Sequence, residues 1–199
     1  MLKGALALDK SSSTINSYRA KLAEIFKQKS IFKGEFVLAS GQRSNYYLDT
    51  RLTTLSAEGI SIISYLIWAL IQPIIDEVHG VAGPSIGADP IVTGVCQLSY
   101  LAGKPLKAGY IRKETKIHGR GRLIEGPIER GENIIVLEDV ITTGTSSLKA
   151  VNALKEHGCN VEHLICLILR EEIGKNLLEN EGKLTVHSLF HSNELLDTI

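Results

Sequence analysis

Hydrophobic residues fall on one helical face in several parts of the chain. Between positions 15 and 26 they recur every three or four residues, which predicts an amphipathic helix from about Thr14 to Gln28. A largely apolar helix is predicted from Ser56 to Leu70. A third pattern covers Leu148 to His157, and Gly158 follows it as a C-terminal cap. Each of these helices is expected to bury one face on a core.

Short apolar runs bounded by turn residues predict strands. Glu35–Ala39 and Asn45–Leu52 flank a turn at positions 40–43 and predict a hairpin. The later runs alternate with helical patterns, which favours a parallel sheet flanked by helices. These later strands are predicted at Val78–Ala82, Leu106–Ile111, Ile134–Leu137, Val161–Leu169 and Leu184–Phe190. The predicted fold class is therefore α/β, with a single domain over residues 1–199.

Composition and charge narrow the class of protein. A chain of 199 residues with 44% hydrophobic content suits one soluble globular domain with a sizeable core. The 22 basic and 22 acidic residues give a formal net charge of zero, so no nucleic acid and no membrane surface is expected as a partner of the whole molecule. Any electrostatic function is expected to be local.

Cysteine usage and the apolar stretches predict a cytoplasmic protein. Cys96, Cys159 and Cys166 lie in apolar contexts and form no Cys-x-x-Cys pair, which predicts reduced core thiols. The N-terminus lacks the pattern of a secretion signal. The most apolar stretch, Ile60–Ile75, contains polar residues and Pro73 and is predicted to be too short to span a bilayer.

The segment Ile134–Ser147 carries the most specific chemistry. Glu138 and Asp139 follow its apolar run, at the carboxyl end of a predicted strand, where open α/β sheets bind ligands. Two carboxylates at that place can accept hydrogen bonds from the vicinal hydroxyls of a sugar. The turn around Gly144 is rich in hydroxyl side chains and opens a helix whose free N–H groups suit a phosphate. A pocket for a ribose 5-phosphate is predicted, and a simple helix cap is the alternative.

Positive charge is concentrated at positions 112–122, which read Arg-Lys-Glu-Thr-Lys-Ile-His-Gly-Arg-Gly-Arg. Five basic side chains against one acidic side chain give a net charge of +4 on a chain whose total is zero. The two glycines predict a mobile segment with little apolar surface to bury, and such a segment can act as a lid over a polyanion. The alternative is a solvated run of charge.

The strand, acid pair and loop of residues 134–147 resemble the phosphoribosyl pyrophosphate (PRPP) motif of type I phosphoribosyltransferases. The resemblance implies a parallel sheet with an N-terminal hood, with hood elements at about 30–55, a core at about 56–190 and a flexible catalytic loop at 112–122. It also implies that Glu138 and Asp139 hold the ribose hydroxyls. The residues implied to anchor the 5′-phosphate are Val140, Ile141, Thr142, Thr143, Gly144, Thr145 and Ser146.

Two further segments are similar to orotate phosphoribosyltransferases. Positions 36–49 read Phe-Val-Leu-Ala-Ser-Gly-Gln-Arg-Ser-Asn-Tyr-Tyr-Leu-Asp, like the hood segment of that family, and Arg-Lys-Glu-x-Lys-x-His-Gly from position 112 matches its catalytic loop. The residues thereby implied to bind PRPP and act in catalysis are Arg112, Lys113, Lys116 and His118, with Asp139. Those implied to bind orotate are Tyr47, Leu48, Thr142 and Arg170.

Alternatives remain for some of these residues. The hood aromatics also suit packing on the core, and Arg170 also suits an ion pair with Glu171 or Glu172. Two departures from the family pattern concern the charge of the site. Many members carry a lysine where this chain has Ala39, and many carry another where it has Gly87. At position 87, backbone amides would have to do more of the work of binding pyrophosphate.

The resemblance implies a reaction in which orotate and PRPP give orotidine 5′-monophosphate and pyrophosphate with Mg²⁺ as cofactor. No protein cage for a metal is predicted, so Mg²⁺ is expected to be held by PRPP and water. The resemblance also implies a homodimer in which Lys116 and His118 reach the partner's site. Two other functions stay open: a phosphoribosyltransferase for another base, and a non-catalytic PRPP-sensing regulator that binds nucleic acid.

Overall fold

The computed structural model describes residues 9, 11–37, 43–113 and 123–196. Helix α1 (Ser12–Lys29) begins where the Ser11 hydroxyl accepts a hydrogen bond from the Thr14 N–H at 3.3 Å. An antiparallel hairpin follows, with strands β1 (Ile31–Val37) and β2 (Arg43–Leu48). It forms a small sheet of its own, separate from the main sheet. This hairpin is the predicted hood.

A six-stranded sheet forms the centre of the molecule. Its strands, in chain order, are β3 (Gly80–Pro84), β4 (Lys107–Ile111), β5 (Ile124–Glu125), β6 (Ile134–Ile141), β7 (His163–Leu169) and β8 (Thr185–His191). Their order across the sheet is β5-β4-β3-β6-β7-β8, and only β5 runs antiparallel to its neighbour. The carboxyl ends of the five parallel strands therefore meet at one edge.

Helices cover both faces of the sheet. After α1, they are α2 (Arg51–Thr54), α3 (Ala57–Ile71) with a 3₁₀ turn at Gln72–Ile74, α4 (Asp89–Leu101), α5 (Thr145–His157), α6 (Glu172–Asn180) and α7 (Ser192–Leu196). One core cluster joins α1, α3, α4 and α7 to one face, and another joins α5 and α6 to the opposite face. Strand β6 contributes to both clusters, with Leu137 on one face and Val136 on the other. The predicted layered α/β architecture is confirmed.

The second hood strand ends earlier than predicted, and this difference shapes the site. The chain leaves β2 at Leu48, whereas the sequence predicted strand to Leu52. The Asp49 carboxylate accepts a hydrogen bond from the Arg51 N–H at 3.3 Å, and the Thr50 carbonyl accepts one from the Thr53 N–H at 2.9 Å. These bonds turn the backbone into the short helix α2, so the prediction of strand there is wrong.

Other boundaries also differ from the prediction. Strand β6 continues through the acid pair to Ile141, because residues 140 and 141 pair with Ile168 and Leu169 of β7. Asp89 is the first residue of α4, and its carboxylate accepts a hydrogen bond from the Ser85 hydroxyl at 2.8 Å. The edge strand β5 and helix α7 were not predicted, since both are too short to leave a periodic pattern.

The predictions about a membrane span and about the cysteines are confirmed only in part. The window Ala57–Ile74 has the 18 residues and the hydropathy that a membrane span needs, so the prediction that the most apolar stretch is too short to span a bilayer is wrong. Half of the window is buried inside the fold, however, as it is in the core helix of a soluble protein. Cys159 and Cys166 are buried free thiols as predicted, whereas Cys96 is partly exposed.

Candidate active site

A cleft of about 940 Å³ opens at the carboxyl edge of the sheet, between the hood and the core. Its walls come from the end of the hood, the loop after β3, the end of β4, the end of β6 and the start of α5. The lining residues are Tyr47, Leu48, Asp49, Thr50, Arg51, Pro84, Ser85, Ile86, Gly87, Asp89, Arg112, Lys113, Glu138, Asp139, Val140 and Ser146. The cleft thus brings together residues from the three segments that sequence analysis singled out.

Glu138 is the buried member of the acid pair. Its residue is 4% exposed, and its carboxylate accepts a hydrogen bond from the Ser147 hydroxyl at 2.7 Å. Burial raises the pKa of Glu138 well above its usual range, and the neighbouring charge of Asp139 raises it further. The hydrogen bond from Ser147 acts in the opposite direction and lowers that pKa. A ligand that donates hydrogen bonds to this carboxylate would favour its ionised form.

Asp139 is held from three sides. The Thr50 hydroxyl donates to one carboxylate oxygen at 2.7 Å, and the Val140 N–H donates to the other at 2.9 Å. The third side is Gly87, where a Cβ atom would lie only 2.6 Å from that second oxygen. The absence of a side chain at position 87 therefore leaves room for the Asp139 carboxylate. A hood residue and a core loop together determine where this carboxylate lies.

The loop after β6 is supported from below by a second glycine. Gly144 has φ of +76°, and a Cβ atom on it would lie 2.6 Å from the Gly174 carbonyl oxygen. In turn, a Cβ atom on Gly174 would lie 2.4 Å from the Thr142 carbonyl oxygen. This close packing of the loop on α6 fixes the start of α5, whose first N–H groups have no partner within the helix. The N-terminus of α5 is therefore able to bind an anion.

The predicted catalytic loop is the connection between two paired strands. Ile111 of β4 lies opposite Ile124 of β5, and the Arg112 N–H donates to the Leu123 carbonyl at 2.9 Å. Arg112 and Lys113 line the cleft, and a guanidinium nitrogen of Arg112 lies 3.5 Å from the Glu125 carboxylate. Lys116 and His118 lie outside the described residues.

Arg170 connects the core to the hood. It follows β7 at the carboxyl edge of the sheet, and its side chain donates to the Ser44 hydroxyl at 2.9 Å. Its guanidinium also lies 4.5 Å from the centre of the Tyr46 ring, a cation–π distance. These contacts are with the hood, and in the part of the chain that the structure describes Arg170 forms no ion pair with Glu171 or Glu172.

Most of the remaining predicted residues are not part of the lining of the cleft. Ile141 is 1% exposed and packs in the core, so its side chain does not reach the cleft. Thr142 and Thr143 lie in the loop over α6, and Thr145 begins α5, with the hydroxyls of Thr143 and Thr145 3.2 Å apart. Of the 140–146 segment, Val140 and Ser146 line the cleft.

Sequence analysis missed four residues that bear on the site. Asp49, Thr50 and Arg51 line the cleft, and Ser147 binds Glu138. The first three fell inside a predicted strand, although a run of Asp, Thr and Arg after aromatic residues is a signal for a turn. No sequence pattern marked Ser147 as a partner of Glu138, because hydroxyl side chains are common near the start of helices.

The acid pair yields a testable prediction for stability. Because its pKa is raised in the folded state, Glu138 contributes stability that is full below its unfolded pKa of about 4.3 and is lost as pH rises through the folded pKa. We expect Glu138→Gln to become more stable than the wild type by about 1 kcal/mol or more near pH 8, because an amide avoids the cost of burying a charge. Urea unfolding of both proteins between pH 5 and pH 8.5 measures the difference.

The matched control for this prediction is Glu156→Gln, at an exposed position of α5. Its free energy of unfolding is expected to follow the wild type across the same pH range. A difference between Glu138→Gln and the wild type that does not grow with pH would contradict the assignment of a raised pKa to Glu138.

Comparison with known proteins identifies the family, although no family model matches the chain. An orotate phosphoribosyltransferase of Aquifex aeolicus is 39% identical over 181 residues, which cover 89% of this chain and 97% of the relative. One of Synechocystis is 43% identical over 159 residues, which cover 79% of this chain and 78% of the relative.

A solved structure agrees with these relatives. The orotate phosphoribosyltransferase of Mycobacterium tuberculosis in complex with PRPP superposes with a TM-score of 0.73 at 31% identity, covering 89% of this chain and 98% of that one. Such identities over nearly the full length of a relative, together with the shared fold, show that the chain belongs to the orotate phosphoribosyltransferase family.

Proposed function

We propose that the chain transfers the ribosyl 5-phosphate group of PRPP to orotate, giving orotidine 5′-monophosphate and pyrophosphate, in the de novo synthesis of UMP. The observation that carries the proposal is the acid pair Glu138–Asp139, which shares one cleft with the end of the hood and the start of α5. The similarity to orotate phosphoribosyltransferases over most of the chain supports it. The neighbour with PRPP bound supports the choice of donor substrate.

The ribose and the 5′-phosphate of PRPP are proposed to bind at the end of β6. Asp139 and the ionised form of Glu138 would accept hydrogen bonds from the ribose hydroxyls. The 5′-phosphate would lie in the 140–146 loop, where the N-terminus of α5 offers N–H groups and a favourable dipole. The close packing of Gly144 on Gly174 supports this role, since it holds the loop near the helix end.

Orotate is proposed to bind beneath the hood. The backbone at Tyr47 and Leu48 would contact the ring, with Thr142 nearby, and Arg170 would bind the carboxylate through its planar fork. The Ser44 hydroxyl and the Tyr46 ring support this role for Arg170, because they hold the guanidinium against the hood. The position of the base between hood and core then excludes water from the reacting atoms.

The chemical step forms a bond from a ring nitrogen of orotate, which loses its proton to solvent, to the anomeric carbon of PRPP, and the bond from that carbon to pyrophosphate breaks. Pyrophosphate leaves with the bonding electrons, so negative charge grows on it in the transition state. Arg112 and Lys113 of the cleft, with Lys116 and His118 from the following segment, are proposed to stabilise that charge. The place of Arg112 and Lys113 in the lining of the cleft supports this role.

Mg²⁺ is proposed as the cofactor, held by PRPP and water. Among the described residues no three His, Cys, Asp or Glu side chains lie together in a group that could hold a metal ion by themselves. A carboxylate oxygen can accept more than one hydrogen bond, so the carboxylates that line the cleft would bind the waters of a hydrated ion, which suits the reluctance of Mg²⁺ to lose water. When bound, the ion would offset the charge of the phosphates.

We further propose a cytoplasmic homodimer with shared active sites. The segment that follows Arg112 connects β4 to β5, the outermost strand, so it belongs to an edge of the sheet that another subunit can approach. Apolar side chains are exposed beside the cleft, with Leu55 at 71% and Ile86 at 72%. A partner subunit would cover this apolar surface.

The base specificity of the enzyme tests the reaction. We expect kcat/KM for orotate to exceed that for uracil at least about 100-fold, because uracil lacks the carboxylate that Arg170 would bind. Arg170→Gln should lower kcat/KM for orotate by about 10-fold to 100-fold, the range for a lost charge-assisted hydrogen bond, and leave that for uracil nearly unchanged. PRPP-dependent turnover of a panel of purine and pyrimidine bases measures both effects. Equal use of uracil and orotate, or preference for a purine, would contradict the proposal.

Mixed dimers test the shared site. Lys116→Ala and Asp139→Ala subunits, each inactive alone, are dissociated, mixed in equal amounts and reassociated. If Lys116 acts on the partner's site, each mixed dimer has one intact site, so random mixing should restore about a quarter of wild-type activity. If Lys116 acts within its own subunit, every site carries a lesion. No recovery in samples shown to contain mixed dimers would exclude the shared site without affecting the reaction assignment.

A further inference from the structure

The pyrophosphate side of the cleft raises a problem of charge. Four acidic residues line the cleft: Asp49, Asp89, Glu138 and Asp139. The basic residues among the described lining residues are Arg51, Arg112 and Lys113. PRPP is itself a polyanion, so the cleft needs positive charge that faces the ligand.

Position 87 is unable to supply a cation while Asp139 keeps its place. A Cβ atom on Gly87 would lie 2.6 Å from one carboxylate oxygen of Asp139 and 2.8 Å from the other. The Thr50 hydroxyl holds Asp139 in that position through its 2.7 Å hydrogen bond. A lysine at position 87 would displace the carboxylate, so a cation that compensates for its absence has to come from another element.

Arg51 lines the same cleft as Arg112 and Lys113 but comes from a different element, the start of α2. It follows Thr50 directly, and Thr50 touches Asp139. Arg112 lies at the end of β4, where part of its charge is offset by Glu125 at 3.5 Å. The pKa of Arg51 is raised mainly by its hydrogen bond with Asp49, and the charge of Asp139 acts in the same direction, in agreement with a position near the acid pair.

The Arg51 guanidinium is oriented before any ligand arrives. Its Nε–H and one Nη2–H donate to the two carboxylate oxygens of Asp49, at 2.8 Å and 3.1 Å. A guanidinium has five N–H groups, so three remain, and among the described residues they have no acceptor. The side chain is 51% exposed. A guanidinium that Asp49 holds through two N–H groups, and whose other three N–H groups remain available, suits the binding of a phosphate group.

We propose that Arg51 binds the pyrophosphate group of PRPP and supplies positive charge that lysines at positions 39 and 87 provide in other members of the family. This inference rests on the proposed function, since it assumes PRPP in the cleft. Asp49 is a positioning residue that orients the guanidinium. Thr50, between these two residues, positions Asp139, which is proposed to bind the ribose. Residues 49–51 therefore act on both the ribose and the pyrophosphate of PRPP.

Binding measurements separate this role from a structural one. Dissociation constants of PRPP and of ribose 5-phosphate, each with MgCl₂, are measured by calorimetry for the wild type, Arg51→Gln and Arg51→Lys. Ribose 5-phosphate lacks the pyrophosphate, so it reports on the rest of the site. Arg130→Gln is the matched control: it removes the same charge from a position before β6, at the opposite end of the sheet.

Arg51→Gln is expected to weaken PRPP binding by about 10-fold to 100-fold, the effect of losing one charge-assisted hydrogen bond or more, and to change ribose 5-phosphate binding less than about twofold. Arg51→Lys should recover part of the loss, because it keeps the charge without the fork. Arg130→Gln should match the wild type for both ligands.

Two results would overturn the assignment. Either PRPP binds Arg51→Gln as tightly as the wild type, or both ligands are weakened by the same factor, which indicates a structural role for Arg51. The proposed function is judged separately, by wild-type turnover of orotate. A wild type that binds PRPP through Arg51 but does not consume orotate would contradict the reaction and leave the Arg51 assignment in place.

Discussion

Two adjacent carboxylates at the end of a central strand impose the constraint on which the rest of the site depends. Glu138 is buried and Asp139 faces the cleft, so each needs polar partners that only particular neighbours can supply. The Ser147 hydroxyl donates a hydrogen bond to Glu138, and the Thr50 hydroxyl donates one to Asp139. Because these partners come from α5 and from the end of the hood, the acid pair connects the end of β6 with the helix that follows it and with a segment 89 positions away. The proposed ribose site is therefore organised before a ligand binds.

The hood is attached to the core by a few polar contacts close to the site. In addition to the bond from Thr50 to Asp139, Arg170 of the core donates to Ser44 of the hood. Apolar side chains of the hood, Ile31 and Leu48, also pack against the core, so polar and apolar contacts together hold the hood in place. In the account proposed here, orotate binds at Arg170 and the ribose at Asp139, so both substrates would strengthen the attachment of the hood.

The long periodic elements could be predicted from sequence, and the polar contacts between them could not. The apolar runs at Ile134 and Val161 and the helical pattern before Gly158 predicted two buried strands and a helix, although the first strand continues past its predicted end at Leu137 to Ile141. Their burial follows from local periodicity, which is present in any short window. Thr50 was missed for the opposite reason, since its partner Asp139 is 89 positions away and no local pattern connects the two.

The lack of a local pattern also explains why the roles of Gly87 and Arg51 were not predicted. In the sequence, position 87 was noted only for lacking the lysine that many family members carry there. The fold shows that a side chain at this position would meet the Asp139 carboxylate. Arg51 lay inside a predicted strand, and its orientation by Asp49 appears only once the chain turns into α2. The acid pair and the hydroxyl-rich loop were predictable because a whole motif occupies fourteen consecutive positions.

The central claim is that the Asp139 carboxylate binds PRPP and does not serve the stability of the fold. The most direct measurement is kcat/KM for PRPP in Asp139→Asn, taken with the free energy of unfolding and compared with Asp76→Asn at an exposed site. The account predicts a loss of at least about tenfold in kcat/KM, because hydrogen bonds to a charged group are lost, with unfolding close to that of the wild type. Wild-type kcat/KM for PRPP in a folded Asp139→Asn protein would contradict it.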